Sequence, residues 1–190
     1  MTPFLKKHWS NIIFFAFVAL LILPQTRMPI QVFVQRLISF SASEKTEAER
    51  ETLQDYNWNL KELNSEEINF SQSKGKVIIV NFWATWCPPC VAEMPSFQKL
   101  YASYGDKVDF YFVTSEEPEK IENFMEKNEY SFPIFIQKYE ASKQLQSQVL
   151  PTTYVISKSG EIVIDEEGAA DWNSNKMQTL LDKLIDLGTL

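Results

Sequence analysis

The chain has 190 residues, 45% of them apolar, a formal net charge of −7 and two cysteines. That length allows one domain with a real core plus an appendage, and an acidic body argues against nucleic acid, where affinity comes largely from neutralising phosphates with Lys and Arg. Two cysteines so closely spaced cannot make a structural disulfide framework.

The first 43 residues carry Lys6, Lys7, Arg27 and Arg36 and no acid, and all 25 acidic residues lie beyond them. After Lys6 and Lys7 the chain is apolar from Trp9 to Leu23, broken by Ser10 and Asn11 and closed by Pro24. Its unbroken part, Ile12 to Leu23, is short against the roughly 20 residues of a comfortable span, and Phe4, Leu5 and Trp9 bring it near the lower limit. Residues 1–28 are therefore expected to be an uncleaved membrane anchor. A cleaved signal segment is the alternative, although Pro24-Gln25-Thr26-Arg27 makes a poor cleavage site and Ser41-Ala42-Ser43 lies far downstream. In both cases the basic residues ahead of the apolar run hold the N-terminus in the cytoplasm and export the body, an asymmetry that Arg27 and Arg36 weaken.

Residues 29–54 form a second unit. Ile30 to Phe40 sets Ile30, Phe33, Val34, Leu37 and Ile38 at helical spacing, which suits an amphipathic helix on the membrane surface or one packed on the domain or on a partner. Ser41 to Gln54 is polar and reads as a tether. Residues 55–190 read as one α/β domain. Tyr56 to Leu60 and Ile68 to Phe70 suggest a lead-in hairpin, and Val77 to Trp83 is apolar enough for a strand buried on both faces. Pro89 to Tyr104 reads as a helix kinked at Pro95, and Val108 to Val113 as a second apolar strand, parallel to the first across a right-handed crossover. A helix follows over Pro118 to Asn128, then a short strand at Ile134 to Gln137 and a short helix at Ala141 to Gln148. Thr152 to Ser157 and Glu161 to Asp165 flank Lys158-Ser159-Gly160 as an antiparallel hairpin. Asn173 to Leu187 closes the chain as an amphipathic helix.

Both cysteines sit where the buried strand gives way to a helix, in Cys87-Pro88-Pro89-Cys90. Proline suits the first turn of a helix, so Cys87 meets unpaired N–H groups and the positive end of the helix dipole, both of which favour thiolate. That placement makes Cys87 the expected attacking thiol, open to solvent, and Cys90 the less accessible resolving thiol. Pro88 and Pro89 remove two nearby N–H donors, which predicts a modest lowering of the thiol pKa and a reducing poise. Glu93 stands one helical turn beyond Cys90; a partly buried carboxyl there has a raised pKa and can take the proton of Cys90. Trp86 is expected as an exposed platform beside Cys87, and Trp83 as core or rim. His8 is the single histidine and precedes the apolar run, which removes a Cys–His nucleophile pair and a two-His metal site from consideration.

The order βαβ, an excursion, then ββα, with Trp86-Cys87-x-x-Cys90 after the first core strand and Leu150-Pro151-Thr152 before the final hairpin, resembles the thioredoxin fold. The resemblance spans about Asp55 to Leu187. Within that superfamily the membrane segment, Glu93, Pro95 and the Glu116 to Gln148 excursion resemble the TlpA/ResA-type disulfide reductases. The implied architecture is a central mixed sheet flanked by helices, with an N-terminal hairpin extension, an insertion between core strands and an N-terminal membrane segment. It also implies a cis peptide before Pro151, turning the backbone of Leu150 toward the cysteines to pair with a bound chain. By the same resemblance, substrates would be exported proteins with disulfides, such as apocytochromes c before haem attachment. Electrons would come from a membrane thiol donor, with the Cys87–Cys90 pair as the redox centre and no NADPH, flavin or metal cofactor. The lipid bilayer would hold the N-terminal segment, leaving the domain in the periplasm or on the outer side of the cytoplasmic membrane. One position departs from thioredoxins, which carry a buried Asp six residues before the first Cys; here that residue is Asn81. A peroxiredoxin would want Thr or Ser three residues before its reactive Cys, where Ala84 stands. A disulfide-forming oxidase on the same residues and an anchored binding module without turnover remain the competing readings.

Overall fold

The computed structural model describes residues 3–63 and 67–186; Leu187, expected as the last apolar contact of the closing helix, lies outside them. Its strands are β1 (Asn59–Glu62), β2 (Glu67–Asn69), β3 (Ile78–Phe82), β4 (Asp109–Thr114), β5 (Ile134–Gln137), β6 (Thr152–Ile156) and β7 (Ile162–Glu167). The helices are α1 (Pro3–Ile22), α2 (Pro24–Ile38), α3 (Pro88–Tyr104), α4 (Pro118–Asn128) and α5 (Asn175–Asp186). One mixed sheet runs in the order β2-β1-β5-β4-β3-β6-β7. β3, β4 and β5 are mutually parallel, β6 lies antiparallel beside β3, and β7 antiparallel beside β6. This is the α/β thioredoxin-like arrangement.

All five residues of β3 are buried, because each face of the sheet carries its own apolar layer. Val77 and Ile79 face Met94, Phe97 and Leu100 of α3 and Leu181 of α5. Ile78, Val80 and Phe82 face the opposite way, toward Trp58, Leu60, Phe70 and Leu145. Alternation along a strand puts Asn81 on the side of Ile79, beneath α3. The β6–β7 hairpin turns at Gly160, whose φ of +88° and close approach to the Tyr56 hydroxyl leave no room for a Cβ.

The excursion supplies α4 and the parallel strand β5 at the expected bounds. Two local expectations change. The first strand of the lead-in hairpin forms two to three residues later than the apolar pattern suggested and the second one residue earlier, and β1 also pairs with β5, so the extension is part of the main sheet. The expected helix over Ala141 to Gln148 is a single 3-10 turn at Lys143–Leu145. So few residues cannot offset the cost of helix nucleation, and burying Ala141 and Leu145 against the sheet needs only that turn.

The N-terminal segment is helical, but among the described residues no helix is long and apolar enough to cross a membrane. Lys6, Lys7, Ser10 and Asn11 take up the first half of α1. The apolar run that remains rises about 18 Å, against a hydrocarbon core of about 30 Å. α2 packs on α3, with Val32 buried and the Arg36 Nε donating to the Ala92 carbonyl at 3.3 Å. Its Phe33, Val34, Leu37 and Ile38 stay exposed. Beyond α2, the polar stretch read as a tether is laid along the domain. The Phe40 carbonyl accepts from Asp171 N at 2.9 Å, Lys176 Nζ donates to the Ala42 carbonyl at 3.1 Å, and Lys45 N donates to the Val163 carbonyl at 2.8 Å. Ala42 is itself buried in the core. Placing an unpaired carboxylate there by Ala42→Asp should lower the unfolding free energy by about 2–4 kcal/mol. Urea denaturation checks this, and an unchanged midpoint would mean that the segment is a loose linker.

Candidate functional site

β3 ends at Phe82, which pairs with Thr152 at the start of β6. The loop leading to α3 and the peptide entering β6 therefore lie at the same end of the sheet. Cys87 is the N-cap residue of α3, with Pro88 and Pro89 in the first two helical positions. Neither proline has an N–H to offer, so the nearest donor is Cys90 N, which reaches Cys87 Sγ at 3.3 Å. Cys87 and Cys90 form a disulfide with Cα atoms 5.2 Å apart.

The structure corrects the expectation of an open Cys87. It is 3% exposed and Cys90 0%. The cap geometry turns Cys87 Sγ back over its own helix, toward Cys90 N, and the side chain joins the buried cluster of Trp83, Ala84 and Met94. The exposed member of the motif is Trp86, at 66%, while Trp83 is core. The Leu150–Pro151 peptide is cis. Leu150 is half-buried and packs against the cluster that holds both cysteines. With Trp86, Ala84 and Glu116 it lines a cavity of about 350 Å³. Within the described residues the Leu150 main chain has no hydrogen-bond partner. The Glu116 carboxylate fixes the loop before the cysteines, accepting from Thr85 N at 2.6 Å and from the Thr85 hydroxyl at 2.8 Å.

Glu93 is buried more deeply than its spacing suggested, at 2% exposed. Three donors reach its carboxyl: Trp172 Nε1 at 2.8 Å and Ala170 N at 3.4 Å on Oε2, and Asn81 Nδ2 at 2.8 Å on Oε1. Loss of water outweighs these contacts and lifts its pKa to about 8. Trp172 is held flat against Phe97, with ring centroids 5.0 Å apart. Asn81, Ala170 and Trp172 were not anticipated as partners of the carboxyl. Asn81 was visible as a departure from thioredoxins; the other two lie more than 70 residues from Glu93, and no local pattern points to them.

Residues 52–164 match the AhpC/TSA family. Over 129 residues the chain is 35% identical to the thioredoxin-like protein YneN of Bacillus subtilis, spanning 66% of this chain and 75% of that protein. It is 39% identical over 110 residues to the thiol-disulfide oxidoreductase ResA of Halalkalibacterium halodurans, spanning 56% of this chain and 62% of that one. The crystal structure of StoA from Bacillus subtilis matches with a TM-score of 0.53 at 30% identity, covering 66% of this chain and 93% of that chain.

The buried carboxyl makes stability depend on pH with a definite sign. Between the ordinary carboxyl value of 4.5 and about 8 the native chain keeps a proton that the unfolded chain releases. The stabilisation is complete below the lower value and is lost as pH rises through the upper one, by at most about 1.4 kcal/mol per pH unit. Glu93→Gln removes this component. Urea midpoints measured across that window should fall more steeply with pH for the wild type than for the variant; parallel profiles would contradict the burial.

Proposed function

The chain belongs to the AhpC/TSA family and is a thiol–disulfide oxidoreductase, and from that premise we propose that it reduces disulfides of exported proteins through Cys87 and Cys90. The observation that carries the reading is the stacking, within one turn of α3, of a helix-capping sulfur, its buried partner and the buried carboxyl of Glu93. In the reduced protein the Cys87 thiolate attacks one sulfur of the partner's disulfide, expelling the other as thiolate. Cys90 gives its proton to the Glu93 carboxylate, and the new thiolate attacks Cys87 Sγ. The partner leaves with both sulfurs reduced, and Cys87–Cys90 is left oxidised. A carboxyl whose burial lifts its pKa to about 8 is a better base toward a thiol than an ordinary carboxylate.

Because Cys87 is nearly covered, the partner must widen the opening as it docks. The unpaired main chain of Leu150 supports a docking mode in which the partner's chain pairs with its N–H and C=O and rests against the exposed Trp86. The resemblance to ResA-type proteins favours exported substrates such as apocytochromes c and a membrane thiol donor that re-reduces Cys87–Cys90, with no further cofactor. The exposed apolar side chains of α1 and α2, including Phe14, Phe15, Phe33 and Leu37, support attachment to the lipid bilayer. The basic residues ahead of them support a domain facing the outer side of the cytoplasmic membrane.

Insulin reduction separates exchange from mere binding. Cys87→Ser should abolish turnover, whereas Cys90→Ser should accumulate mixed disulfides with its partners, visible by mass on non-reducing gels. Glu93→Gln should slow turnover about 10- to 100-fold with the fold intact. Turnover persisting in Cys87→Ser would sink the assignment.

A further inference from the structure

The Glu93 carboxyl is committed on one oxygen and undecided on the other. Oε2 faces the Trp172 indole N–H at 2.8 Å and the Ala170 main-chain N–H at 3.4 Å, and neither group can turn into an acceptor. Oε1 faces the side-chain amide of Asn81, whose Nδ2 donates to it and to the Thr153 hydroxyl, each at 2.8 Å. Asn81 is 0% exposed, and its Oδ1 has no partner. A buried acceptor left unpaired costs about 1–3 kcal/mol, and such an exception calls for a cause.

The unpaired oxygen has a use in the carboxyl's other protonation state. A neutral Glu93 has a hydrogen of its own to donate. On Oε2 that hydrogen would run into two N–H donors; on Oε1 it points at the Asn81 amide. An amide has nearly the same shape either way round, so a half-turn exchanges its oxygen and nitrogen without displacing a neighbour. After the turn, Oδ1 accepts from the Glu93 O–H and from the Thr153 O–H, and the NH2 takes the unpartnered place that Oδ1 left. We propose that Asn81 is the positioning residue of the buried carboxyl, its amide donating to ionised Glu93 and turning over to accept from neutral Glu93. A leucine of similar size could do neither, and an ionised aspartate could only accept. With the turn available, Glu93 takes and returns a proton without moving the helix that carries both cysteines.

The charged and titratable groups around the carboxyl are few. Glu166 on β7 opposes its ionisation, and Cys90 on α3 titrates when reduced. β3 and β6 present the neutral Asn81 and Thr153, and Asp171 in the loop between the two N–H donors is exposed. The purpose assigned to the turn rests on Glu93 carrying protons for exchange. The turn itself is measured in the oxidised protein, where neither thiol titrates, so its failure and the failure of that reading are distinct.

The test is proton NMR of the oxidised full chain in detergent micelles. Well above pH 8 the Asn81 side-chain NH2 should show nuclear Overhauser contacts to the Thr153 methyl, and well below it those contacts should be lost, following the midpoint of the Glu93 carboxyl carbon. Glu93→Gln can donate its own NH2 toward Asn81, so it should lack the contacts throughout. A wild-type amide that keeps the same contacts across the range overturns the proposal. So does a Gln variant whose contacts equal those of the wild type at high pH. The wild-type series decides the matter even if the variant folds poorly.

Discussion

A carboxyl cannot be taken out of water alone, and burying Glu93 constrains much of what surrounds it. Stripping an ion of its water costs several kcal/mol even after relaxation, and hydrogen bonds to a charged group return about 1.5–3 kcal/mol each. The donors come from β3, from the loop after β7 and from the Trp172 indole. Together they leave the pKa of Glu93 raised to about 8, so that both the neutral and the ionised forms are within reach. Meeting that requirement fixes several positions at once. α3 must cross β3 where Glu93 reaches Asn81, and residues 170–172 must pass over the helix. Trp172 must lie against Phe97 to aim its N–H. One turn earlier on the same helix, Cys90 and then Cys87 come out at the end of the sheet where the cis peptide enters β6.

The parts of this arrangement that are local in sequence were legible. Val77 to Trp83 is apolar on both alternations, which announces a strand covered on both faces. Prolines directly after Cys87 mark a helix start, and three residues from Cys90 to Glu93 make one turn. The cis peptide came from the resemblance, since X-Pro bonds are far more often trans. What the sequence concealed is non-local or depends on direction. Trp172 looks like any core tryptophan until the fold brings its N–H to a carboxyl 79 residues away. Asn81 shows that an acid is missing, but not that its amide faces another one. Cys87 was expected in the open because turns usually are. Whether an N-cap side chain points outward or back over its helix depends on rotamer and cap geometry, which residue type does not reveal.

The segment before the domain shows the same limit. Ser41 to Gln54 is polar, and polarity alone cannot tell a loose linker from a strip held at a sheet edge, because here the holding contacts are made largely by main-chain groups such as Lys45 N, Phe40 O and Ala42 O. The consequence for function is spatial. α2 is joined to α3 through Arg36 and Val32, and the following strip is joined to the loop that clamps Glu93. The redox site and α2 are therefore parts of one packed body.

The direction of electron flow rests on how weakly the helix end stabilises the Cys87 thiolate. Pro88 and Pro89 leave Cys90 N as the N–H that reaches its sulfur. A thiolate with little support makes the disulfide the favoured form and the dithiol a good reductant. Equilibrating the full chain against dithiothreitol buffers of known composition gives the reduction potential of the pair. This account predicts a value on the side of thioredoxin, about −270 mV, and a value near the strongly oxidising −120 mV (roughly that of DsbA) would contradict it.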